Sequence, residues 1–196
     1  MNLGLFYDAE TTGLPHWKEP SDSPEQPHIV QLAASLVDMD TRAIISSMDV
    51  IVQPDGWEIP HDIIEIHGIT NEYASEVGIP EPQAVAMLLS LWSDADRVRI
   101  GHNQPFDARI LRIALRRYLD DTIADAWKQG RALCTMRMAR PIMDLPRGKW
   151  PNLVEAYRFF TGETLTDAHT AAADVQATMR VYFAIQDLEE KAGERP

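Results

Sequence analysis

Apolar runs that end in turn-forming residues predict strands in the first part of the chain. Leu3 to Ala9 is almost continuously apolar, which is typical of a buried strand, and it runs into Glu10-Thr11-Thr12-Gly13. Ile29 to Asp38 and Ala43 to Val52 are two further strand candidates. Because the turn sequence Met39-Asp40-Thr41 lies between them, they are predicted to form a hairpin.

Apolar residues at helical spacing predict the helices. Val85, Leu88 and Trp92, for example, share one face of a helix over residues 81–92. The predicted helices cover residues 59–66 (one or two turns), 81–92, 105–119, 152–160 and 170–188. A short strand is predicted over residues 98–101, a strand followed by a helix within 133–139, and a loop over 141–151.

This order of elements indicates a mixed sheet flanked by helices, of the α/β or α+β class, whose first strands form a meander. Residues 15–27 carry four prolines and are predicted to be a loop rather than a linker, since a domain cannot end after about 14 residues. We therefore expect a single domain over residues 1–196, with its core from about residue 3 to 188.

The composition is that of a globular chain. With 45% apolar and 24% charged residues among 196, it is neither disordered nor fibrous. Cys134 is the single cysteine, which rules out an internal disulfide and a cysteine-liganded zinc site and permits a reducing compartment. The N-terminus does not resemble a signal peptide, and no apolar run is long enough to span a bilayer. A cytoplasmic protein with no membrane partner is expected.

Charge is distributed unevenly around a net value of −12. Residues 1–96 hold 2 basic and 17 acidic residues, residues 97–158 hold 13 and 6, and residues 159–196 hold 3 and 7. Such asymmetry points to a polyanion or a metal ion as partner, and a solvated helical surface is the alternative explanation of the basic stretch.

Asp8 and Glu10 are the first candidate for chemistry. They are two residues apart on a predicted strand, so their side chains point to the same face. No basic residue occurs between Met1 and Lys18 to neutralise them. A divalent cation such as Mg²⁺ or Mn²⁺ would compensate for their repulsion, because these ions prefer oxygen ligands. The alternative is that the strand has ended and that both carboxylates are solvated.

Two later segments carry further candidates. Asp107 falls in the first turn of the helix that begins at Pro105, where an acidic residue also has a purely structural role beside the helix dipole. His169 and Asp174 would lie about 140° apart around one ideal helix. His169 must therefore precede the helix or occupy its first turn, where it could reach a reacting water. The alternative is an exposed histidine beside a capped helix start.

Taken together, these motifs resemble the DEDDh (DnaQ-like) 3′→5′ exonucleases, similar to the exonuclease domain of the DNA polymerase III epsilon subunit. The family motifs D-x-E-T-T-G, H-N-x-x-F-D and H-x4-D correspond to residues 8–13, 102–107 and 169–174, and H-G-I-T to residues 67–70. The resemblance covers residue 3 to about 187. It implies the α/β, ribonuclease H-like fold: a mixed sheet with a three-strand antiparallel meander and parallel strands, flanked by helices.

The resemblance implies a metal-dependent enzyme that hydrolyses the terminal phosphodiester of single-stranded DNA or RNA and releases nucleoside monophosphates, with DNA favoured. Two divalent ions are implied, Mg²⁺ with Mn²⁺ as a substitute. Asp8, Glu10 and Asp174 would bind the first ion, Asp8 would bridge to the second with support from Asp107, and His169 would be the general base. An RNA-specific exoribonuclease and a non-catalytic accessory subunit with this fold are the alternatives.

The resemblance also implies where the 3′ end binds. The candidate substrate-binding residues are Thr11, Thr12, Gly13, Leu14, His67, Asn103 and Phe106. Arg109, Arg112 and Arg116 share a helix face and are candidates for phosphate contacts or for scaffolding. Trp17, Trp57 and Trp150 could stack bases or simply pack. A replication or repair protein is compatible as a partner, although few residues follow the last helix. A freestanding exonuclease fits better.

Overall fold

A five-stranded mixed sheet organises the structure, a computed structural model that describes residues 2–96, 98–166 and 170–193. The strands are β1 (Leu3–Thr11), β2 (Ile29–Asp38), β3 (Ile44–Ile51), β4 (Arg99–Gly101) and β5 (Ala132–Cys134). They lie in the order β3-β2-β1-β4-β5. β1 to β3 form an antiparallel meander, β4 runs parallel to β1, and β5 runs parallel to β4. The predicted α/β, ribonuclease H-like arrangement is confirmed.

Helices cover both faces of this sheet. They are α1 (His61–His67), α2 (Asn71–Val77), α3 (Glu81–Asp94), α4 (Pro105–Tyr118), α5 (Asp121–Gln129), α6 (Thr135–Met143), α7 (Leu153–Thr161) and α8 (Ala171–Gly193), with a 3-10 turn at Pro146–Gly148. Leu5 and Tyr7 of β1 are in the core shared with α3, α4 and α5, whereas Phe6 packs on Tyr182 of α8. Because both faces are covered, β1 is an apolar run rather than an alternating one.

None of the helices in the described residues is long and apolar enough to cross a membrane.

Two short helices, α2 and α5, are absent from the sequence prediction. Each begins after a capping side chain, Thr70 before α2 and Asp120 before α5. These side chains accept the backbone N–H groups of Tyr73 and Ile123, which otherwise have no partner within the helix. Helices of two turns are too short for apolar periodicity to reveal them, so their caps were the available signal.

Two predicted boundaries are wrong. β1 does not end at Ala9, because it continues to Thr11 in register with β2. The predicted loop over 141–151 begins only after Met143, because Pro141 lies inside α6. Proline there removes one backbone donor close to the C-terminus of the helix, and α6 ends two residues later at Asp144, whose φ is 41°.

A buried carboxylate, Glu81, joins β2 to α3 and α4. It accepts hydrogen bonds from the Ile29 N–H at 3.0 Å and from the Tyr118 hydroxyl at 2.8 Å. The Nδ1 atom of His28 is 2.7 Å away and the Nη1 atom of Arg117 is 3.4 Å away. Burial opposes the ionisation of Glu81, but the hydrogen bonds from His28 and Ile29 and the charge of Arg117 outweigh it, so the pKa lies below its usual value.

The topology brings three distant segments to one edge of the sheet. The parallel pairing of β1 with β4 and of β4 with β5 places the C-terminal ends of these strands side by side. α4 begins four residues after Gly101, at the end of β4. α8 starts at the same edge, where the Ala171 N–H donates to the Gln31 side chain of β2 at 3.1 Å. The first turns of α4 and α8 therefore lie beside the end of β1.

Candidate active site

Three of the predicted metal ligands come together at this edge. One carboxylate oxygen from each of Asp8, Glu10 and Asp174 lies within 4.8 Å of the others. Asp8 and Glu10 share a face of β1, as their two-residue spacing predicts, and Asp174 lies in the first turn of α8. These three residues are called the carboxylate cluster below.

Asp107, the fourth predicted ligand, lies beside the cluster and is 3% exposed. Its Oδ1 atom accepts the backbone N–H of Ala9, between Asp8 and Glu10, at 3.2 Å. The geometry follows from the length of β4. The Leu5 N–H of β1 donates to Val98 in the segment leading into β4, but β4 ends at Gly101, so the Ala9 N–H of the same strand edge is bonded by a side chain instead.

The carboxylates are held where ionisation is unfavourable. Burial raises the pKa of Asp8 well above its usual value, and the charges of Asp107, Asp174 and Glu10 raise it further. Burial, together with the charge of Asp174, raises the pKa of Glu10 from 4.5 to about 7. The pKa of Asp107 is raised mainly by burial. Such mutual repulsion is relieved when a cation binds.

The donor set fits a hard divalent cation. Carboxylate oxygens are the ligands that Mg²⁺ and Mn²⁺ prefer, and three of them converge within the span of one coordination sphere. His169, the predicted general base, lies outside the described residues, so its role stays a prediction.

A cleft of about 590 Å³ opens beside the cluster and shares Glu10 with it. Six of the seven predicted substrate-binding residues line this cleft: Thr11, Thr12, Gly13, Leu14, His67 and Phe106. The sequence reasoning missed the contribution of α1 and the residue before it: Pro60, Asp62, Ile63 and Ile66 also line the cleft. Ile66 is 54% exposed, and an apolar residue at an exposed helix position was the available signal.

His67 contributes a polar atom to this apolar cleft. It is 7% exposed, and its Nδ1 atom accepts the Ile69 N–H at 3.0 Å. The proton of the neutral ring is therefore on Nε2, which has no hydrogen-bond partner in the described part of the chain. Burial lowers the pKa of His67, which favours this neutral form. The cleft thus contains one oriented N–H donor.

Asn103, the seventh predicted residue, is not among those that line the cleft. Its φ is 57°, and its carbonyl accepts the Phe106 N–H at 2.9 Å, so it shapes the turn that leads into α4. Its neighbour His102 is buried and joins the Thr135 hydroxyl at 2.9 Å to the Pro151 carbonyl at 3.1 Å. Burial lowers the pKa of His102 to about 4, so the ring is neutral and holds α6 and the segment before α7 against the end of β4.

The three arginines of α4 are engaged within the chain. Arg109 donates to the Ser21 hydroxyl at 2.7 Å and to the Glu19 carbonyl at 2.5 Å, which holds the proline-rich loop. Arg112 pairs with Asp125 at 2.8 Å, and Arg116 pairs with Asp121. These contacts correspond to scaffolding, the alternative to phosphate binding for this face.

Comparisons with known proteins identify related chains. A family model described as Exonuclease (RNase_T) matches residues 5–182. The chain is 30% identical over 182 residues to a Mycobacterium tuberculosis (strain CDC 1551 / Oshkosh) protein named as a bifunctional exonuclease/endonuclease, covering 92% of this chain and 26% of that protein.

Among solved structures, E. coli Exonuclease I in complex with a dT13 oligonucleotide is similar with a TM-score of 0.78 and 23% identity, covering 99% of this chain and 43% of that one. Exonuclease I from Methylocaldum szegediense matches with a TM-score of 0.77 and 24% identity, covering 97% and 42%. The chain spans about a quarter of the curated relative and less than half of either structure. At these identities the structural likeness shows the fold.

Proposed function

This chain belongs to the RNase_T family of exonucleases, and we propose that it removes nucleotides from the 3′ end of single-stranded nucleic acid, with DNA favoured. The observation that carries the proposal is the convergence of Asp8, Glu10 and Asp174 beside a cleft that shares Glu10 with them. A single exonuclease domain over residues 1–196 is part of the proposal.

The chain's own groups have distinct proposed roles. Asp8, Glu10 and Asp174 would hold one divalent ion, and Asp8 with Asp107 would hold a second. Bound there, Mg²⁺ or Mn²⁺ would neutralise charge and lower the pKa of a water molecule. His169 accepts the proton of the attacking water. The buried Ala9–Asp107 hydrogen bond keeps the fourth carboxylate beside β1.

The cleft supports a terminal nucleotide as its occupant. Ile63, Ile66 and Phe106 offer apolar surface to a base, and the Nε2–H of His67 offers a hydrogen bond. The cleft contains no arginine or lysine among its lining residues in the described chain, which suits a base and sugar better than a second phosphate. DNA is favoured because similar structures are Exonuclease I complexes with DNA oligonucleotides.

Degradation of a 5′-labelled single-stranded DNA oligonucleotide and its RNA counterpart tests this function. Each is incubated with Mg²⁺, with Mn²⁺ and with EDTA, using wild type, Asp8→Asn, His169→Ala and the exposed control Asp55→Asn. We expect a ladder that shortens from the 3′ end with either metal, retained in Asp55→Asn and lost with EDTA and in the other two variants.

The other outcomes distinguish the alternatives. Faster loss of the RNA than of the DNA would identify an exoribonuclease. Binding of the DNA without hydrolysis would overturn the enzyme proposal in favour of an accessory subunit. We also propose a cytoplasmic location and a replication or repair protein as partner. The free thiol of Cys134 is compatible with such a reducing compartment.

A further inference from the structure

The segment around α6 concentrates positive charge in an acidic protein. Residues 131–158 contain six basic and two acidic residues, against a net charge of −12 for the whole chain. The basic residues are Arg131, Arg137, Arg140, Arg147, Lys149 and Arg158. Unlike the arginines of α4, some of these have no internal role. The guanidinium groups of Arg137 and Arg147 are exposed and make no ion pair or hydrogen bond within residues 2–96, 98–166 and 170–193.

An aromatic ring lies among these cations. The guanidinium carbon of Arg140 is 3.9 Å from the ring centroid of Trp150, and its Nη2 atom donates to the Gly148 carbonyl at 3.2 Å. Trp150 nevertheless remains 46% exposed. Arg147 has a φ of 60°, a left-handed conformation that costs a residue with a Cβ about 1 kcal/mol. A charged residue is thus held outward at an energetic cost, as is common at ligand-binding loops.

The surface is fixed to the same edge of the sheet as the carboxylates. Pro151, next to Trp150, accepts the hydrogen bond of buried His102, and Thr135, the first residue of α6, bonds the other ring nitrogen. β4 lies between β1 and β5 in the sheet. Two strand spacings place the start of α6 about 10 Å from β1.

The direction of the substrate follows from the cleft. If the 3′-terminal nucleotide occupies the cleft beside α1, its phosphate lies at the carboxylate cluster. The remainder of the strand must then leave on another side of the cluster, and the side of β4, β5 and α6 offers cations together with an exposed aromatic ring. Single-strand binding sites combine these two features, cations for the phosphates and a ring on which a base stacks.

We propose that Arg137, Arg140, Arg147, Lys149 and Trp150, called the α6 platform below, bind the single-stranded DNA upstream of the scissile bond. The cations contact its phosphodiester backbone, and the free face of Trp150 stacks a base. This inference rests on the proposed function, because it takes the carboxylate cluster as the position of the scissile phosphate.

The first test compares a long substrate with one that has no upstream strand. The long substrate is a single-stranded DNA of about 12 nucleotides, within the range that such sites cover. The short one is the p-nitrophenyl ester of thymidine 5′-monophosphate. The variants are Arg137→Ala/Arg147→Ala, Trp150→Ala and the charge-matched control Lys128→Ala/Lys191→Ala, whose lysines are exposed on α5 and α8.

We expect the arginine double variant to lower kcat/KM for the long substrate by about tenfold at low salt, through KM, and to reduce its salt-dependence slope by roughly 1.4, about 0.7 for each phosphate contact. Trp150→Ala should raise KM by about tenfold with little change in slope. Hydrolysis of the ester should be unchanged in both. An equal loss in the lysine control, an unchanged slope, or an equal loss with the ester would overturn the platform.

Direct binding separates this proposal from the proposed function. The affinity for a fluorescent copy of the long DNA is measured by anisotropy on an Asp8→Asn background with Mg²⁺, with and without Arg137→Ala/Arg147→Ala. Wild-type protein that hydrolyses neither substrate would refute the exonuclease function, while this measurement still decides the platform. Equal affinity in the two proteins would show that the basic residues form only a solvated surface.

Discussion

Two groups of buried carboxylates in this protein have opposite environments. Glu81 is surrounded by donors, and its pKa lies below the usual value. The carboxylate cluster and Asp107 are surrounded by one another, and burial with mutual repulsion raises the pKa values of Asp8, Glu10 and Asp107. Both groups join distant elements of the fold, but only Glu81 does so with partners that the chain itself supplies.

The difference shows what each group is for. At Glu81 the native fold already contains the positive charge and the hydrogen bonds that stabilise an anion, so the fold gains from its ionisation. At the cluster the chain brings carboxylates together and does not supply an equivalent cation. A divalent ion would provide the missing charge, so the cluster destabilises the metal-free fold in exchange for a binding site.

The largest expected effect is on activity. Asp8→Asn removes a ligand atom of the cluster, and we expect kcat/KM on single-stranded DNA to fall by about 1000-fold, since metal-ion stabilisation contributes several kcal/mol. In EDTA the same variant should be at least as stable as wild type, because a buried like charge is gone. Label-release kinetics and urea unfolding measure the two effects. An Asp8→Asn protein that stays active would refute the assignment.

Glu81→Gln should have the reverse profile. It leaves Arg117 and His28 beside a neutral amide, and we expect the free energy of unfolding to fall by about 3 kcal/mol. Because the folded pKa of Glu81 is lowered, its stabilisation is present above the unfolded pKa and is lost as the pH falls through the folded value. Urea unfolding from about pH 7 down to pH 3 measures this loss. At a temperature where the variant is folded, kcat/KM should change less than twofold.

Mg²⁺ should stabilise the wild type. At a concentration about 100 times its Kd, a ligand that binds only the folded state adds about 2.7 kcal/mol. A thermal-melting titration with Mg²⁺ should therefore raise the Tm of wild type and of Glu81→Gln alike, and that of Asp8→Asn much less. Equal shifts in all three proteins would mean that the ion binds elsewhere.

The smallest expected effect is the pH dependence of the metal-free protein. The pKa of Glu10 is raised from 4.5 to about 7, so the folded state binds its proton more tightly than the unfolded chain does. This contribution is fully present below about 4.5 and is lost as the pH rises through about 7. In EDTA, we expect wild type to gain on the order of 1–2 kcal/mol between about pH 8 and pH 5, relative to Glu10→Gln. Urea midpoints that rise equally in both proteins would contradict this.

Local patterns predicted the strands better than the short helices. β2 has the bounds that its apolar run indicates, from Ile29 to Asp38. α2 and α5 escaped prediction because single capping side chains, rather than long periodic faces, define them. Pro141 was misleading because its effect depends on how near the helix end it lies, which tertiary packing decides.

The site was predictable where one element carries it. Two-residue spacing places Asp8 and Glu10 together, and the three motifs indicate which other carboxylates join them. The contact of Asp107 with the Ala9 N–H depends on where β4 ends, which the local pattern does not specify. The lining of the cleft by Ile63 and Ile66 depends in the same way on how α1 docks. The partners of the α4 arginines belong to a loop and to an unpredicted helix, so their role could not be decided.

The docking of α8 on β1 and β2 has a consequence for biosynthesis. The ribosome makes Asp8 and Glu10 early, but Asp174 only after every strand of the sheet has been translated. Asp174 then reaches the cluster through the packing of α8, including the Ala171–Gln31 hydrogen bond. We expect a nascent chain without α8 to lack a complete ion-binding cluster, so that nuclease activity switches on late in synthesis, when the tertiary fold has closed.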